Sequence, residues 1–151
     1  MKYKIINWLE TTKHKTWVAW YLIKACRALL WRALVHDLSK YSRKEAPYFE
    51  KALPQLRALE YGSEEYKAAI ASLGPALQHH YFVNSHHPEH WQGIKYMSPL
   101  DLIEMLCDWK AATRRHATGD MSKSLSINAE RFYYDQDHEI AFRRDAREIG
   151  L

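Results

Sequence analysis

Apolar positions recur at the spacing of helices along most of the chain, and no stretch alternates as a half-buried strand would. Thr11 or Thr12 is positioned to cap a helix running to about Ala28. Its stripe of Trp17, Trp20, Tyr21 and Ile23 to Cys26 is broken by Lys24. The segment LLWRALVHDLSK predicts a second helix. Ser42 then offers a cap for RKEAPYFEKAL, with Glu45 three residues on as its capping-box partner. Pro47 blurs the start of that helix, and Pro54 interrupts or ends it. Ser63 caps EEYKAAIASL, which Gly74-Pro75 breaks. ALQHHYFV reads as a further helical turn or two. Residues 84 to 97 hold Pro88 and Gly93 and read as a loop.

Ser98-Pro99 combines a favoured N-cap with a favoured first helical residue. DLIEMLCDWKAATRRH follows as one helix ending before Gly119. Leu102, Ile103, Met105, Leu106 and Trp109 form its apolar face. Ser122 or Ser124 opens a helix through Tyr133, and Asp135 opens the last. The expected class is all-α: a compact multi-helix bundle in one domain over residues 1–151. Its core is expected over about 12–117, followed by C-terminal helices over 122–148.

Composition narrows the partners. Hydrophobic residues make up 47% of the 151 and charged residues 26%. That balance suits a folded core rather than disorder. The net charge of +4 permits an anionic ligand without demanding nucleic acid. Two cysteines, Cys26 and Cys107, do not make a disulfide framework, so a reducing, cytoplasmic setting is expected. The N-terminal MKYKIINWLE has no secretory h-region or cleavage site. Trp17 to Val35 contains Lys24, Arg27 and Arg32, which argues for a core helix and against a membrane span. Oligomeric state stays open.

The chemistry concentrates in HHYFVNSHHPEHW, where five of the nine histidines fall within thirteen residues. Neutral imidazole is the commonest metal ligand in proteins. Further ligand types stand elsewhere in an ordered series: His14, then the adjacent pair His36-Asp37, then His79/His80, His86/His87, and Asp108 in MLCDWKA. His14 by itself reads as a surface histidine and gains weight only from its place in that order. Adjacent His36 and Asp37 can both reach an ion lying off a helix end, or bridge two ions. Imidazole with carboxylate suits Mn, Fe, Co, Ni or Zn, and Mg is a further candidate. Two ions about 3.5–4 Å apart would activate water and clamp a phosphoryl group. Asp101, seven residues before Asp108, reads as a helix-start acid, a support for a histidine, or the ligand itself. Lys40 reads as an exposed helix-end lysine or a phosphate contact. His90 stays outside the ligand set; His116 and His138 read as solvated.

This ordered pattern resembles the HD-domain superfamily of metal-dependent phosphohydrolases, an all-α family. HDLSK is similar to its His-Asp-x-x-Lys segment, NSHHPEHW to the double-histidine segment of two-metal members, and LCDWKA to its final aspartate helix. The run also resembles small phage and bacterial HD proteins. The resemblance covers Thr12 to about Ala117. It implies His14, His36, Asp37 and Asp108 as core ligands, with Asp37 bridging and Lys40 in the lysine position. One of His79/His80 and one of His86/His87 would complete a second metal site. PEHWQG departs from the Gly-rich segment of two-metal signalling phosphodiesterases, which argues against cyclic dinucleotides.

The function expected on this resemblance is hydrolysis of a small phosphate ester, a nucleotide foremost, by metal-activated water. Asp37 and Lys40 are its candidate catalytic residues. A di-iron oxygenase built on the same ligands is one alternative. A non-catalytic, metal-stabilised module that binds a nucleotide or a protein is another.

Overall fold

The computed structural model describes residues 2–115 and 119–151. It contains seven α-helices and three short 3-10 turns, with no strand among the described residues. The fold class is all-α. No described helix is long and apolar enough to cross a membrane. The chain divides into two compact units, one ending at His36 and one spanning Asp37–Leu151.

The first unit is a single helix, α1, over Lys2–Val35. The expected break near Ala28 is absent. The sequence explains this, since no Gly or Pro stands between Lys2 and Val35 and Ala, Leu and Arg fill the region. Thr11 and Thr12 do not cap. The hydroxyls of Thr12 and Thr16 donate instead to the carbonyls of Trp8 and Thr12, both at 2.9 Å. Trp17 to Val35 is helical as expected, but its large apolar residues are exposed and do not form a core face: Trp31 is 65% accessible. An unbroken helix also fixes a separation. At a rise of roughly 1.5 Å per residue, His14 lies about 33 Å along the axis from His36. α1 therefore does not bring these two proposed ligands together.

The second unit holds α2 (Ala46–Ala58), α3 (Glu64–Ala71), α4 (Pro75–Val83), α5 (Pro99–Thr113), α6 (Met121–Phe132) and α7 (Gln136–Glu148). Three starts follow the sequence closely. Ser63 accepts from Tyr66 N–H at 3.1 Å, Ser98 forms a capping box with Asp101, and Asp135 accepts from His138 N–H at 2.9 Å. Others differ. Asp120, not Ser122 or Ser124, caps α6 by accepting from Lys123 N–H, and Ser124 is buried instead. Pro54 lies inside α2, where it removes one backbone hydrogen bond without ending the helix. The helix expected to reach His116 ends at Thr113, and His116 lies outside the described residues.

The core cluster runs from Ile94 and Met97 through Met105, Leu106 and Trp109 of α5 to Met121, Leu125, Phe142 and Ala146. The cluster thus includes residues of α6 and α7. Trp109 and Phe132 stack with ring centroids 6.1 Å apart, within the range of favourable aromatic pairs. At Gly62, where φ is +79°, an added Cβ would lie 2.7 Å from Ile127 of α6. The positive φ, with Ile127 close by, favours glycine in the turn after α2. This scaffold leaves the C-terminus of α4, the loop after it and the α5 face near Glu104 and Asp108 to build the site.

Candidate metal centre

Asp37 opens a 3-10 turn over Leu38–Tyr41 and has a φ of +57°. Aspartate tolerates this left-handed conformation better than most residues, and a helix does not propagate through it. Residues i and i+3 eclipse in a 3-10 turn. Lys40 is thereby placed over Asp37, and its Nζ donates to Asp37 Oδ2 at 2.5 Å. The Asp-x-x-Lys spacing is thus read out as an ion pair that leaves Asp37 Oδ1 facing inward.

Adjacent residues of an α-helix diverge by about 100°, so α4 aims only one histidine of its pair at Asp37. That residue is His80, 2% exposed, with Nε2 3.4 Å from Asp37 Oδ1. His86 approaches the same oxygen from the following loop, with Nε2 at 3.5 Å, and is equally buried. His87 brings its Nε2 to 2.9 Å from that of His80. Asp37, His80, His86 and His87 each offer one ligand atom within 4.8 Å of the others. Ligands about 2.1 Å from a common ion in tetrahedral array stand about 3.4 Å apart, which matches the Asp37 spacings. Three imidazoles and a carboxylate fit a borderline divalent metal. A carboxylate oxygen of Asp108 also lies within 4.8 Å of one of Asp37.

Electrostatics favours the ligand form of the rings. Burial lowers the pKa of His80, with Lys40 adding to the effect and Asp37 and Glu45 opposing it. Burial, reinforced by His86 and His80, pulls His87 down to about 2. Both rings are neutral near pH 7 and so keep the lone pair that a metal needs.

The rest of the segment is scaffolding. Trp91 Nε1 donates to the Ser85 carbonyl at 2.7 Å, and Ser85 Oγ donates to Asp101 Oδ1 at 2.7 Å. Asp101 also accepts from the Ser98 backbone and hydroxyl. The helix-start reading is realised in this capping box, and the same carboxylate anchors the histidine loop through Ser85. His90 lies outside the cluster, 3.2 Å from the Tyr81 carbonyl. His36 directly precedes Asp37 in the chain and is half-buried.

The chain belongs to the family of unknown function DUF5662. That family's model matches residues 6–149. No curated protein and no solved structure matches the chain.

Two residues of this centre escape sequence reasoning. Glu45, expected as a capping partner of Ser42, makes no side-chain cap and is fully buried. Its Oε1 lies 2.6 Å from His79 Nδ1, and its Oε2 lies 2.9 Å from His80 Nδ1 and 3.0 Å from Ser39 Oγ. Glu104 Oε1 stands 3.2 Å from His86 Nδ1. Glu104 precedes Asp108 by four residues on α5, so helical spacing already puts it on the face of a proposed ligand. Nothing local marks Glu45.

Proposed function

We propose that this chain is a metal-dependent phosphohydrolase of the HD type, cleaving a small phosphate ester of the nucleotide class. The observation that carries the reading is the convergence of Asp37, His80, His86 and His87 within ligand range, with Lys40 paired to Asp37. The ordered motifs that resemble the HD superfamily support it. So does Asp108 beside Asp37. By the resemblance, His36 is a further ligand. His14 would join only if α1 were interrupted, and it is left out of this ligand set.

A bound divalent ion would lower the pKa of a water and stabilise charge on phosphoryl oxygen. The chain's own residues do the rest. Asp37 anchors the site. The Lys40 side chain is partly exposed and supplies positive charge at the rim of the site. An incoming phosphate is neutralised there. A histidine of the 79–90 stretch that stays outside the ligand set is the proposed proton donor to the leaving oxygen. Mn, Fe, Co, Ni and Zn all suit these donors, and Mg remains a candidate only where carboxylates dominate.

The test is to purify the protein without chelator and measure bound metals by elemental analysis. Nucleotides are then screened for phosphate release with added Mn, Co, Ni, Mg or Fe, using Asp37→Asn as the control. Metal-dependent release that the control lacks supports the reading. Release equal in both proteins ends it. The excess of imidazole over carboxylate also suits iron, which favours a di-iron oxygenase as second reading. Tightly bound iron and oxygen uptake without phosphate release would select it.

A further inference from the structure

Glu45 is fully buried, and three donors surround its carboxylate: the Ser39 hydroxyl and the Nδ1 atoms of His79 and His80. Carboxylate oxygens accept from all three. Two of these contacts, from Ser39 and His80, fall on Oε2. A proton on His80 Nδ1 leaves Nε2 of the neutral ring with its lone pair, and Nε2 is the atom that faces Asp37 Oδ1. Asn84 Nδ2 lies 3.0 Å from His80 Nδ1, but its two hydrogens are taken by the closer acceptors, Ser39 Oγ and the His80 carbonyl, both at 2.8 Å, which keeps Ser39 oriented toward Glu45.

We propose that Glu45 is the positioning residue of the metal centre, fixing the tautomer and the aim of His80 so that the ring binds an ion through Nε2. This rests on the reading of Asp37, His80, His86 and His87 as a metal site. A hydrogen-bonded carboxylate behind a ligating imidazole sets its orientation and raises its basicity, and losing such a partner commonly costs about 10–100-fold in metal affinity. Here one carboxylate spans both histidines of the α4 pair. It turns His80 into a ligand and holds His79 in a supporting place, a division of roles that adjacency in sequence does not reveal.

The experiment compares the parent with Glu45→Gln and Glu45→Asp. Glutamine keeps the shape but must turn an NH2 group against at least one of the three donors, and it carries no charge. Aspartate keeps the charge. Each protein is stripped of metal, checked for helix content by circular dichroism, and titrated with Co(II) while its visible absorption is followed. Long-range 1H–15N NMR of the metal-free proteins reads the histidine tautomers. The expected result is a parent His80 protonated at Nδ1 and Co(II) affinity about 10–100-fold weaker in Glu45→Gln. Glu45→Asp should lie between the two. A folded Glu45→Gln that binds Co(II) as tightly as the parent, with His80 still protonated at Nδ1, overturns the role of Glu45 and leaves the metal site standing. If the glutamine variant does not fold, Glu45→Asp decides: parental affinity overturns the role, and weakened affinity in the folded protein supports it. A parent that binds no Co(II) overturns the metal reading and this inference with it.

Discussion

The Nε2 atoms of His80 and His87 stand 2.9 Å apart, and both rings are neutral near pH 7. Two lone pairs would repel at that distance, so in the metal-free protein one nitrogen donates to the other. With Glu45 taking the Nδ1 proton of His80, His87 is the donor. An ion bridging the two rings requires His87 to carry its proton on Nδ1 instead. The contact is therefore a hydrogen bond that a bound ion would replace.

Stability should depend on pH through His87. Its folded pKa is about 2 against an ordinary value of 6.5, chiefly from burial. Between those values the unfolded chain binds the proton that the folded chain refuses. The stabilisation is present above pH 6.5 and is lost as pH falls. The loss from this one group is up to about 1.4 kcal/mol per pH unit. The thermal midpoint of metal-free protein should drop steadily from pH 7 to pH 5, and His87→Gln should flatten that slope. An identical slope in the variant would remove His87 as the cause.

Asp37→Asn replaces a carboxylate by a neutral group of nearly the same shape. Circular dichroism should show a folded protein. Metal affinity should fall by at least the roughly tenfold seen for lesser partners of a metal site, and phosphate release should fall with it at saturating metal. Parental turnover in a folded variant would mean that Asp37 holds no catalytic ion.

Asp101→Asn and Asp108→Asn should separate two acids seven residues apart on one helix. Asp101 serves the α5 capping box and Ser85. Its variant should lose about 1–3 kcal/mol of stability in urea unfolding. Asp108 lies beside Asp37, so its variant should lose metal affinity with a smaller change in stability. The reverse pattern would exchange the two roles.

Metal should stabilise the folded state by mass action, by about 2.7 kcal/mol at a free concentration roughly one hundred times Kd. Differential scanning with Mn, Co or Zn should raise the midpoint of the parent, and chelator should reverse the rise. A core control behaves otherwise. Met105 is fully buried, and Met105→Ala should cost about 2–5 kcal/mol with or without metal. No metal-induced shift at any concentration would count against the site.

The helical class and the starts at Ser63, Ser98 and Asp135 are legible in the residues alone, because caps are bonds between residues three apart. The sequence also marked the ligand candidates, since imidazole and carboxylate carry their chemistry wherever they fold. It could not choose His80 over His79: adjacent positions differ only by a helical rotation whose zero is set by packing. Glu45 sat where a capping box was equally plausible, and only the approach of α4 to the 3-10 turn made it a buried acceptor. The course of α1 was decided by backbone continuity rather than by the apolar pattern. With no residue to stop it, the helix runs on to Val35 and carries His14 far from His36.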